Sequence, residues 1–263
     1  MPSSIKTSFP FFSFIAILTG VLLGRQYFKT VLIDQGITDY TSHTLLGMGI
    51  NIVLIIISLI YIKRYKLSDL AGIGKSVLQH KVLLLFPLYL IAVNLLFADA
   101  IPTNHIVWNA SFLLVYCLSV GLSEELSLRG FMQSYLIQHY GTSRKKVLWA
   151  VLGAAFIFGL LHLIKFDKGL YGELSQVLFA TFIAVMFGVL LLRTKRLFPL
   201  VILHAIIDFA AGLDRMGQDV SLKTLNDTTL ISAIVTTLIV LPCLVYGLVQ
   251  YRKIKTYHTE SYI

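Results

Sequence analysis

Charge is what this sequence lacks most. Only 13% of its 263 residues are Asp, Glu, Lys or Arg, about half the share of an ordinary soluble domain, while 57% are hydrophobic. A water-soluble enzyme or nucleic-acid-binding domain is excluded on those grounds, and one integral membrane domain is expected. Cysteine is nearly absent: Cys117 and Cys243 both lie inside apolar runs and no C-x-x-C pair exists. A disulfide framework and a thiolate zinc ribbon are therefore excluded, and both thiols read as packing groups. Internal repeats, low-complexity tracts and a long polar appendage are also missing. Proline is sparse, and Pro87, Pro199 and Pro242 stand singly in separate runs. Paired broken helices, the mark of an inverted-repeat transporter, are thus not in the pattern.

What the chain does have is apolar length. Runs long enough to approach a bilayer crossing fall at 9–24, 44–62, 82–98, 106–122, 147–164, 174–192, 197–213 and 229–250. The expected fold is all-α, a polytopic membrane helix bundle of about eight transmembrane helices. The first run follows a single Lys6 and lacks a small-x-small cleavage pattern, so it reads as an uncleaved helix. Lys and Arg test the count, because they concentrate in alternate loops when the spans are right. Sixteen of the 22 fall on the side shared by both termini and six on the other. Both termini are expected in the cytoplasm of a multi-pass cell-membrane protein. The net charge of +9 then reflects topology and anionic lipid, with no nucleic-acid partner. The connector at 66–80 reads as an interfacial helix. Three parts follow along the chain: 1–119 with the first helices, 120–213 as the core, and 214–263 with the last helix and a cytoplasmic tail.

Ionisable groups inside spans are costly, so the few present are functional candidates. They are Glu124, Glu125, Arg129, His162, His204 and Asp208. Glu125 and Arg129 are four apart and share a helix face, which suits an ion pair, whereas Glu124 points about 100° away. One acid is expected to be structural and its neighbour to face a cavity. The same spacing puts Phe158 with His162, and His204 with Asp208, on common faces. Depth must also agree. If the fourth helix continues through RGFMQSYLIQHY and turns at 141–143, Glu124 and His162 both lie roughly 27–30 Å from the turn, at one level.

A carboxylate beside an imidazole can act as general base on water. A second imidazole paired with an acid can hold an oxyanion or protonate a leaving group. The set Glu124, His162, His204 and Asp208 fits hydrolysis, and no Ser or Cys has a base partner by spacing. The same four are plausible zinc ligands, although H-E-x-x-H is absent and three separate helices would have to supply them. A single buried His is more often a packing residue, and E-E-x-x-x-R alone is often a helix-end ion pair. The conjunction on three helices carries the argument.

In order, EELSLRG resembles E-E-x-x-x-R, FGLLH resembles F-x-x-x-H, and HAIID resembles H-x-x-x-N/D of the CPBP family, the CAAX proteases and bacteriocin-processing enzymes also called Abi. The resemblance covers about 120–213. It implies an intramembrane glutamate-type endopeptidase with no cofactor, in which Glu124 and His162 activate water, His204 and Asp208 stabilise the oxyanion, and Glu125 with Arg129 support the site. Asp208 stands where the best-known prenyl-protein members carry Asn. An ionised Asp would repel an oxyanion, so it is protonated, orients His204, or makes the zinc-dependent variant the better reading. The expected substrate is a membrane-bound or amphipathic peptide, in peptide processing or bacteriocin self-immunity. A non-catalytic membrane immunity or scaffold protein is the alternative.

Overall fold

The computed structural model describes residues 3–220 and 228–254; the tail at 255–263 lies outside them. It is all-helical, with no strand among the described residues. The elements are α1 (Ser3–Asp34), α2 (Tyr40–Arg64), a 3₁₀ segment Lys81–Leu88 leading into α3 (Tyr89–Leu96), and α4 (Ile106–Glu125). A π-helical segment, Leu126–Gln133, joins α4 to α5 (Ser134–Tyr140). Then come α6 (Arg144–Leu161) with a 3₁₀ end His162–Lys165, α7 (Gly169–Thr194), α8 (Phe198–Gly212) and α9 (Leu230–Arg252).

By length and composition six helical rods can cross a membrane: α1, α2, the continuous α4–α5 rod, α6 with its 3₁₀ end, α7 and α9. The two shorter apolar segments, Lys81–Leu96 and α8, bring the helical segments to the eight positions of the apolar runs. The protein is thus a polytopic helical bundle. Its outside is apolar: Phe9, Leu23, Ile56, Ile60, Trp149 and Val245 are exposed. In water such a belt would drive association, whereas in lipid it is the solvent-facing surface.

Polar residues mark where the helices start. Asp39 caps α2 by accepting from the Ser42 amide at 2.8 Å, and this backbone bond holds its carboxyl below the ordinary Asp value. Ser143 caps α6 through the Lys146 amide, and Thr229 caps α9 through that of Ser232. Pro199 sits in the first turn of α8, where its missing N–H is no loss. Buried α7 is the post around which the bundle is built, packing against α6 and α9. α4 lies against α2 on one side and α8 on the other.

The connector at 66–80 is a correction to the sequence reading. It forms turns in place of an interfacial helix, because its backbone groups bond to the α7–α8 turn. The Leu197 amide donates to Gly72 O at 3.1 Å, the Gln79 amide to Thr194 O at 2.9 Å, and the Arg196 guanidinium to Gly74 O at 2.6 Å. Gly72 has φ +67°, and a Cβ there would meet the Leu197 nitrogen at 2.9 Å. Only glycine meets both demands.

Candidate active site

The hairpin read from the sequence is present. The rod from Ile106 to Tyr140 runs unbroken through the RGFMQSYLIQHY stretch, the chain turns at 141–143, and α6 returns to end at His162. Glu124 and His162 accordingly reach the same level, where both wall two adjoining cavities of about 130 and 200 Å³. Phe158 is the third residue common to both walls.

The neighbouring acids face opposite ways. Glu125 is fully buried and Arg129 is 1% exposed, and an Arg129 Nη donates to Glu125 Oε1 at 2.6 Å. The other Nη donates to the Ala184 carbonyl on α7 at 3.1 Å, and the guanidinium lies 5.3 Å from the Phe187 ring. Glu124 is 32% exposed and opens into the cavities. The burial contrast follows from the roughly 100° between adjacent helix positions.

His204 occupies the centre. Its Nδ1 lies 2.8 Å from Glu125 Oε1, and its Nε2 lies 3.5 Å from both Glu124 Oε2 and Asp208 Oδ2. An ionised carboxylate only accepts, so Nδ1 carries a hydrogen toward Glu125. His162 is fixed differently. Its Nδ1 is 3.0 Å from the Phe158 carbonyl, which also only accepts, so a neutral His162 has its lone pair on Nε2. The Phe158 and His162 rings meet edge to face at 4.8 Å.

Four sequence-derived residues, Glu124, His162, His204 and Asp208, together with Arg129, line the 200 Å³ cavity. Glu125 stands behind it. Sequence reasoning assigned Glu125 to Arg129 alone and missed its bond to His204, a contact between α4 and α8 separated by 79 positions. It also missed Asn94 and Gln176 in the cavity wall. No local spacing signals these contacts. The π segment begins directly after Glu125, a common place for such a segment in functional helices.

Gly121, one turn before the acids, sets the α4–α8 approach. A Cβ there would meet Val201 O at 2.9 Å and the Ala205 nitrogen at 3.3 Å. Gly121→Ala should therefore push α8 outward and lengthen the Glu125–His204 bond. The expected cost is about 1–3 kcal/mol, with activity falling more than stability. Thermal unfolding in detergent beside a rate measurement checks it.

Among the described residues no three His, Cys, Asp or Glu side chains are grouped to hold a metal ion. His204 commits Nδ1 to Glu125, and both nearby carboxylates are turned to its Nε2.

The fold and site define a multi-pass membrane protein with an acid–imidazole cluster enclosed by its helices. The model of the family described as Rce1-like, type II CAAX prenyl endopeptidase Rce1-like, matches residues 106–210. This segment, which contains every residue of the cluster, is similar to that group of the CPBP family, and the match supports a CAAX-type intramembrane protease in general. No curated protein and no solved structure matches the chain.

Proposed function

We propose that the protein is an endopeptidase of the cell membrane that hydrolyses a membrane-associated peptide with water activated by Glu124 and His162. The observation that carries this reading is the convergence of Glu124, His162, His204 and Asp208 on one cavity. Glu124 takes a proton from the water while His162 Nε2 accepts its hydrogen bond. The new C–O bond gives a tetrahedral oxyanion, which accepts a hydrogen bond from His204 Nε2. Glu124 then returns the proton to the departing amide nitrogen as the C–N bond breaks, leaving a carboxylic acid and an amine. Asp208, 3.5 Å from His204 Nε2, orients that ring and favours its charged form. Glu125 and Arg129 hold its far side. The role given to Asp208 makes an oxyanion contact with its own carboxylate unnecessary. The substrate is an amphipathic or membrane-anchored peptide, in processing or in bacteriocin self-immunity, and both termini face the cytoplasm.

The test uses purified protein in bilayer nanodiscs with two internally quenched peptides, one farnesylated with a CAAX end and one amphipathic without lipid. Cleavage of the amphipathic peptide by wild type, its loss in His162→Ala, and retention of the rate in EDTA are expected. EDTA-sensitive cleavage restored by zinc would replace the water-activation scheme with a metal one. Cleavage of the farnesylated peptide alone would move the substrate to prenyl proteins.

A further inference from the structure

The side of the membrane poor in basic residues, as assigned from the sequence, has six of them: Arg25, Lys29, Lys165, Lys168, Arg215 and Lys223. Lys223 lies outside the described residues. Four of the other five, Arg25, Lys29, Lys165 and Arg215, line one cavity of about 440 Å³. They come from α1, from the end of α6 and from the segment after α8, so tertiary structure alone collects them. Among the described residues Asp219 is the one carboxylate in that wall, and Asp214 pairs with Arg215 at 3.3 Å. The balance remains positive. Like charges held together in this way repel unless an anion joins them, which makes the cavity a site for a negative group.

This vestibule is continuous with the site. Arg25, Gln26 and Lys165 line both it and the smaller cavity walled by Glu124 and His162. Arg25 is held in place by donating to the Tyr116 hydroxyl. Lys165 is placed by the 3₁₀ turn His162–Lys165, in which positions three apart eclipse one another. It therefore stands in the same row as His162, about 6 Å further along at ~2 Å of rise per residue. An extended peptide advances about 3.3 Å per residue. With the reach of the lysine side chain, an anion held there falls some two to four residues from a bond positioned at His162.

We propose that Arg25 and Lys165, with Lys29 and Arg215 around them, form a subsite for a carboxylate of the substrate, placed a few residues from the scissile bond. The inference rests on the peptidase reading for what the ligand is. The carboxylate comes either from the peptide's own C-terminus or from an Asp or Glu side chain.

The test measures binding apart from cleavage. The full-length Glu124→Gln protein in phosphatidylcholine nanodiscs is titrated with three N-palmitoylated, fluorescent pools of randomised uncharged hexapeptides, read by anisotropy. One pool ends in a free carboxylate, one in an amide, and one in an amide with a single Glu among its last three residues. At least one acidic pool is expected to bind about tenfold or more tightly than the plain amide pool, the worth of one charge-assisted hydrogen bond. Which acidic pool binds identifies the source. The preference should vanish in Arg25→Gln/Lys165→Gln, survive in Lys165→Arg, and shrink at high salt. Lys165→Glu, a substitution at an exposed position, should reverse it without disturbing the fold. Equal affinity of all pools, or no binding of any, overturns the proposal. So does an acidic-pool preference that disappears when phosphatidylglycerol is added to the nanodiscs, which would assign the cations to lipid. Acid-selective binding without cleavage by wild type would instead sink the peptidase reading and leave the subsite standing. Cleavage without charge preference would do the reverse.

Discussion

Glu124→Gln is expected to lower peptide hydrolysis by about two to four orders of magnitude, the usual contribution of a positioned general base. Gln keeps the volume and the hydrogen-bonding reach of the side chain and loses only the ability to take a proton. Stability should hardly change, within about 0.5 kcal/mol, because Glu124 is 32% exposed and its contact with His204 Nε2 is a loose 3.5 Å. The measurement is the cleavage rate beside the unfolding temperature of the same preparation, together with complementation of a deletion strain at matched membrane levels. A variant that accumulates normally and fails in both assays makes the acid chemical. A variant that accumulates and still complements would favour the alternative, a non-catalytic immunity or scaffold protein on a peptidase-like bundle.

The opposite pattern is expected at the partner of the neighbouring acid. Arg129→Met removes the partner of a fully buried carboxylate and leaves Glu125 with only His204 to offset its charge. Breaking a buried pair from one side costs about 3–5 kcal/mol, so folding rather than chemistry should fail first. The double variant Glu125→Gln/Arg129→Met removes both charges and keeps an acceptor for His204 Nδ1. It should regain part of the lost stability while hydrolysis stays low, because a neutral amide holds the imidazole less firmly. Denaturation in mixed micelles of the wild type, both singles and the double gives the coupling energy. Additive losses, the double variant costing the sum of the two singles, would show that Arg129 acts through its bond to Ala184 O and its stacking on Phe187, not through the acid.

These two substitutions divide the EE pair into a working acid and a structural one, a division already legible in the spacing. Adjacent helix positions point about 100° apart and positions four apart coincide, which is a property of one helix by itself. The pairing of Glu125 with Arg129, of Phe158 with His162 and of His204 with Asp208 all came from that rule, and all three contacts are present. The level shared by Glu124 and His162 came from counting along a hairpin.

The sequence by itself determined the eight apolar segments, their order, the bundle class and the short set of charged residues inside it, because hydropathy and helical period act over a few neighbouring residues. Tertiary structure decided the rest. It placed Glu125 on His204 through the close approach that Gly121 permits, folded the 66–80 connector onto the α7–α8 turn, and gathered Arg25, Lys165 and Arg215 around one cavity. Those contacts join residues tens to hundreds of positions apart. They depend on how helices cross, and a crossing is set by the packing of two surfaces at once, which neither stretch of sequence specifies alone.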